Sequence, residues 1–192
     1  MNVYSIQAGN FKLDGGAMFG VVPKSLWQKT NPSDSANMID MSARCMLIEN
    51  GNKLILVDTG MGNKQSEKFF SHYKRWGDFD LTKSINNAGF GLDDITDVLL
   101  THLHFDHCGG AVIWDEDKKS CDVQFKKANY WSNEDHWRWA SNPNPREKAS
   151  FLDENLLPIK KSGQLNFIKK TSDNFVFIDE LGIEIMCVDG HT

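Results

Sequence analysis

The run His102-Leu103-His104-Phe105-Asp106-His107 places four metal-ligating side chains within six residues of a chain that holds only six histidines. Few folds can use such a run. Its ligands must converge from a short turn onto a common point, so the backbone on either side has to be held rigidly. The apolar segment Asp97-Val98-Leu99-Leu100 leads directly into it and reads as a buried strand. The ligands then sit at the carboxyl end of a strand, where open α/β sheets build their sites. Imidazole and carboxylate donors without thiolate suit zinc, or iron, manganese or cobalt, in a site with open positions.

The remaining composition narrows the class. With 192 residues the chain suits one domain with a sizeable core, and 40% hydrophobic against 24% charged residues is ordinary for a globular protein. The net charge is −5 and the lysine pairs at 118–119, 126–127, 160–161 and 169–170 are scattered. That pattern argues against nucleic acid as a partner, because phosphate binding draws on clustered cations. No apolar run approaches 18 residues, so no membrane span is expected, and the N-terminus shows no basic and apolar signal pattern. Cys45, Cys108, Cys121 and Cys187 are widely spaced and read as reduced, mostly buried thiols, which places the chain in the cytoplasm. Cys108 follows His107 directly; it either approaches the metal site or, more simply, is a small buried residue beside the Gly109-Gly110 turn.

Along the chain, Val3–Gln7 suits an opening strand. Two strands, Ala43–Ile48 and Lys53–Val57, flank an Asn50-Gly51 turn signal. The spacing of Phe69, Phe70, Tyr73 and Trp76 predicts a helix over Lys64–Trp76. Asp80 caps a helix over Leu81–Ala88 that stops at Gly89. Val123–Phe125 with Ala128–Trp131 suggests one further strand. Ser132 is the expected N-cap of a helix through His136, Trp137 and Trp139, broken by Asn142-Pro143-Asn144-Pro145. A helix over Ser150–Leu157 should end at Pro158, followed by strands Leu165–Ile168, Phe175–Ile178 and Ile183–Val188. His72 and His136 lie outside the motif and read as surface or helix histidines. The tryptophans read as a packed helix-on-sheet layer.

Three segments together resemble the metallo-β-lactamase superfamily of metal-dependent hydrolases: Ile55-Leu56-Val57-Asp58-Thr59-Gly60, His102 to His107, and Asp189-Gly190-His191-Thr192. The resemblance covers most of the chain. It implies an α/β (α+β) fold, the four-layer αββα sandwich in which two similar halves pack sheet to sheet, as one domain over residues 1–192. It implies two divalent metal ions, zinc foremost, with His102, His104 and His191 holding one, and Asp106 and His107 helping to hold the other. Asp106 would be a ligand alone or a ligand that also shuttles a proton. Asp58 would orient a ligand, the plain alternative being a turn residue before Gly60.

The family pattern continues past His191 with a bridging Asp and a further His. Residues 1–192 have no counterpart of either, so the sandwich is expected to be truncated within its second half, with its C-terminal part missing. Such a half-sandwich is not expected to fold stably alone.

Leu13–Lys24, with Asp14-Gly15-Gly16-Ala17-Met18-Phe19, resembles the N-acyl homoserine lactonase branch, the quorum-quenching enzymes. That implies a lactonase of the EC 3.1.1 type. It would open a lactone ring by attack of a metal-held hydroxide, with Met18 and Phe19 lining the acyl-chain pocket, a small-molecule lactone as partner and room for a homodimer. Other metal-dependent hydrolysis, of a thioester or an organophosphate triester, and a non-catalytic metal-binding remnant are the alternatives.

Overall fold

A computed structural model describes residues 1–78, 80–171 and 174–192. Ten strands and seven short α-helices are present among these residues. A six-stranded sheet runs in the order β1 (Asn2–Asp14), β2 (Met38–Asn50), β3 (Lys53–Val57), β4 (Asp97–Leu99), β7 (Asn129–Asn133), β8 (Leu165–Ile168). Its first two pairings are antiparallel and the next three parallel. Two hairpins complete the strands: β5 (Val112–Trp114) with β6 (Cys121–Val123), and β9 (Phe175–Ile178) with β10 (Ile183–Met186). The helices are α1 (Gly15–Phe19), α2 (Lys24–Trp27), α3 (Glu67–Ser71), α4 (Leu81–Asn87), α5 (Phe105–Cys108), α6 (Glu134–Ser141) and α7 (Asp153–Lys161).

Strand alternation assigns each face its partner. Leu47, Leu54, Leu56, Val98 and Tyr130 point to one side, where α4 (Ile85), α6 (Trp137) and α7 (Leu156, Ile159) cover them. Ile48, Ile55, Leu99 and Trp131 point to the other and meet Ile178 and Leu181 of the β9–β10 hairpin. The order is therefore helices, sheet, second sheet, as the αββα expectation requires. The outer face of the hairpin exposes Phe175, Phe177 and Met186. At the base of β4, fully buried Asp97 accepts from Lys53 Nζ at 3.1 Å and Trp131 Nε1 at 2.9 Å, which offsets the cost of burying a carboxylate.

Several expected boundaries move. The opening strand extends to Asp14 because β2 reaches back to Met38 and pairs along its whole length, with an irregularity between Gln7 and Asn10. The helix expected over Lys64–Trp76 shrinks to α3. Ser66 caps it by accepting from Phe69 N, and Lys74 at φ 42° ends the turn that follows. Lys64 is drawn out of it by a hydrogen bond to the Gly109 carbonyl. The single strand expected over Val123–Trp131 is two, β6 and β7, belonging to different sheets. Ser132 is not the cap of α6; it lies in β7, fully buried, and Asn133 caps instead by accepting from His136 N at 2.9 Å. The helix expected to end at Pro158 runs from Asp153 to Lys161 with the proline inside. The last strand ends at Met186, two residues early. The Asp80-capped helix, the Gly51 turn at φ 61° and β4 lie as expected.

Candidate metal centre

The site lies at the carboxyl ends of β3, β4 and β7, three neighbouring parallel strands. β3 is followed directly by Asp58, whose backbone adopts φ 59°, a left-handed conformation that aspartate tolerates better than most residues. That turn lets the Asp58 carboxylate face the next strand. Its Oδ1 accepts from Thr101 N at 2.8 Å, Thr101 Oγ1 donates to both carboxylate oxygens, and Oδ2 lies 2.8 Å from His107 Nδ1. The same connection is locked from the other side, where Thr59 N and Thr59 Oγ1 both donate to the His107 carbonyl, at 2.7 and 2.9 Å.

Close packing forces glycine at two places in this turn. A Cβ on Gly109 would stand 2.1 Å from the Met61 carbonyl oxygen, and one on Gly110 would stand 2.1 Å from that of Thr59. Cys108 is fully buried and its thiol donates to the Leu103 carbonyl at 3.3 Å, so its role is packing, not ligation. All four cysteines are free thiols; Cys45 and Cys108 are buried, and Cys121 and Cys187 half-buried.

His102, His104 and His191 converge, each offering a nitrogen such that the three atoms lie within 4.8 Å of one another. His102 Nε2 and His104 Nε2 are buried and have no hydrogen-bond partner among the described residues. Burial, followed by the neighbouring imidazoles, pushes His102 down to about 2 and His104 down to about 4. Both rings are thus neutral near pH 7, with lone pairs free. Leaving two buried nitrogens unsatisfied is costly, and a divalent cation at the point of convergence removes that cost. The donor set therefore fits a metal ion.

His107 and Asp106 stand beside this trio. The His102 and His107 ring centroids are 3.9 Å apart, and His107 Nε2 lies 3.7 Å from Asp106 Oδ2. Burial opposes protonation of His107, but the Asp58 hydrogen bond and the Asp106 and Asp58 charges outweigh it, and the net shift is upward.

A cavity of about 640 Å³ opens next to His102, His136 and His191, with Ile168, Ile185 and Met186 in its walls. Met18 and Phe19 do not line it. They sit on α1, where Phe19 stacks on Trp27 at 4.9 Å and Met18 is exposed. A second cavity of about 460 Å³, bounded by β1, Lys64, Arg75 and Trp114, holds no histidine. Burial lowers the Lys64 ammonium there to about 8.

His136 lies in the first turn of α6, a helix histidine as read, but it is half-buried within the site, which the sequence reading did not foresee; burial lowers its pKa. The signal was present in its position, three residues past the end of a strand adjacent to β4. His72, by contrast, is an exposed helix-end residue, as expected.

The metallo-β-lactamase superfamily model matches residues 39–164, which contain the Asp58 turn and the whole 102–107 run. The chain belongs to the metallo-β-lactamase superfamily. Among solved structures, a protein described as a probable metal-dependent hydrolase from Staphylococcus aureus is 32% identical, with a TM-score of 0.80 over 88% of this chain and 59% of that one. This superfamily member thus spans 59% of that relative's length. A dizinc quorum-quenching lactonase, AidC, solved with a product, is 22% identical with a TM-score of 0.65, over 98% of this chain and 67% of that one. An N-acyl homoserine lactone hydrolase, solved with N-hexanoyl-L-homoserine at its catalytic metal centre, is 21% identical with a TM-score of 0.59, over 87% and 59%. At these identities the last two show the shared fold. Comparison with curated proteins gives no match. No helix among the described residues is long and apolar enough to cross a membrane.

Proposed function

We propose that this chain is the metal-binding part of a metal-dependent hydrolase that opens a lactone ring, an N-acyl homoserine lactone or a close relative, with residues 1–192 acting as one domain. The observation that carries the reading is the pair of buried, unpartnered nitrogens, His102 Nε2 and His104 Nε2, converging with His191. His102, His104 and His191 would hold one ion, and Asp106 with His107 the other; imidazole and carboxylate donors favour zinc. Bound there, divalent metal supplies a water acidic enough to attack at neutral pH and polarises a carbonyl oxygen.

The chain's own residues do the rest. The Asp58 carboxylate accepts the His107 Nδ1 proton and so keeps Nε2 facing the ligand side, a division of labour that metal-binding histidines generally need. Asp106 takes the proton released by the attacking water and returns it to the ring oxygen as the ester bond breaks. The apolar walls of the 640 Å³ cavity, among them Ile168, Ile185 and Met186, suit an acyl chain. The acyl contact expected of Met18 and Phe19 would come from α1, outside the residues that line this cavity.

The test is acid release from N-hexanoyl-homoserine lactone by the purified protein, with and without chelator. Chelator-sensitive ring opening is the expected result. A protein that binds zinc yet leaves the lactone intact, while cleaving another ester or a phosphotriester, would overturn the lactone assignment.

A further inference from the structure

The three converging histidines come from two separate stretches of chain, and one side chain touches both. His136 Nε2 accepts the backbone N–H of Leu103 at 2.9 Å. Leu103 lies between His102 and His104 and is itself fully buried, so its N–H has no access to water. On the opposite edge of the ring, His136 Nδ1 lies 3.0 Å from Thr192 Oγ1, one residue past His191. A backbone N–H can only donate. Nε2 must therefore carry the lone pair and Nδ1 the proton, and Nδ1 donates to the threonine hydroxyl.

The ring's own placement is fixed as well. Asn133 caps α6 by accepting from His136 N, which sets the first turn of the helix at the end of β7. β7 pairs in parallel with β4, the strand that feeds the metal-binding run. The aim of the imidazole thus follows from sheet geometry and a helix cap rather than from a mobile loop.

We propose that His136 is a positioning residue of the metal centre. It pins the His102–His104 turn to the His191 segment and so holds the three ligands at a common point before metal arrives. Neither of its nitrogens is left to bind metal or substrate. The inference rests on the metal-site reading above, and its test separates the two.

Zinc is titrated into the metal-stripped protein, and the cobalt-substituted absorption spectrum is recorded for each variant. His136→Leu removes both hydrogen bonds and should weaken zinc binding about tenfold or more, with an altered cobalt spectrum. In His136→Gln an amide oxygen can accept from Leu103 N while the amide nitrogen donates to Thr192, so affinity should return to within about threefold of the parent. Thr192→Val removes only the outer hydroxyl and leaves the buried bond intact. It should cost about threefold to tenfold in affinity, the worth of one ordinary hydrogen bond, even if His136→Leu fails to fold. Nitrogen NMR of the metal-free protein should show the His136 proton on Nδ1.

A proton on Nε2 would overturn the inference, as would a His136→Leu protein with parent affinity and spectrum, a His136→Gln protein as weak as the leucine variant, or an unchanged Thr192→Val protein. A parent protein that takes up no zinc would instead overturn the metal-site reading, and this inference with it.

Discussion

The Asp58 carboxylate and the His107 imidazole meet at 2.8 Å although 49 residues separate them in the chain. The contact joins the end of β3 to the turn after β4 and depends on the left-handed backbone at Asp58. Asp58→Asn keeps a residue that tolerates this conformation and can still accept from Thr101 N. It removes the charge that raises the His107 pKa. Zinc affinity should fall about 10- to 100-fold, with little change in the unfolding midpoint of the metal-free protein. Calorimetric zinc titration beside a denaturant melt checks both halves.

The low pKa values of His102 and His104 set a pH dependence for the metal-free fold. Their ordinary value is 6.5, and the folded protein holds them at about 2 and about 4. Below pH 6.5 the unfolded chain binds protons that the folded chain refuses, so stability falls as pH drops from 6.5 towards 4. His107 works in the opposite sense, its raised pKa favouring the fold at low pH, but it is one group against His102, His104 and the likewise lowered His136. Melting temperatures of the stripped protein at pH 7.5, 6.5, 5.5 and 4.5 should decline stepwise below 6.5. Replacing both His102 and His104 by Asn should flatten that decline.

Gly110 carries a steric argument with no chemistry in it. A methyl group there would stand 2.1 Å from the Thr59 carbonyl oxygen, a backbone atom that cannot rotate away. Gly110→Ala should destabilise the protein by about 3 kcal/mol and pull apart the 59–62 and 107–110 segments. A lowered denaturant midpoint with an unchanged slope is the expected reading; an unchanged midpoint would refute the clash.

Tyr130 tests the polar bookkeeping of the core. Its buried hydroxyl accepts from Phe125 N at 3.0 Å and lies 3.4 Å from the carbonyls of Ala111 and Phe125. Tyr130→Phe keeps the ring and strands the Phe125 N–H. A cost of about 1–3 kcal/mol should appear in chemical denaturation, with zinc affinity unaffected.

Local signals carried much of what the chain shows. The Asn50-Gly51 turn signal and the apolar runs at 54–57 and 98–100 marked the sheet, and Asp80 marked its helix. The His102–His107 spacing marked the site, because ligands crowded into six residues behind a strand leave one place to converge. Residues whose state depends on distant partners were illegible. Lys64 reads as the first turn of a helix until the Gly109 carbonyl claims it. Ser132 reads as a cap until β7 pairs with β8 and buries it. Phe19 reads as a pocket residue, while its stacking on Trp27 depends on how α1 and α2 fold together.

His136 shows the division most clearly. Its sequence neighbourhood determined only that a helix starts there, since the capping of α6 is a contact across three residues. Its place between Leu103 and Thr192 depends on partners 33 and 56 residues away. The sequence determined the ligand types and the strand that presents them, through short-range periodicity and spacing. Only the parallel pairing of β4 with β7 decided which other side chain stands beside those ligands, because strand order is set by packing across the whole sheet and not by any local run of residues.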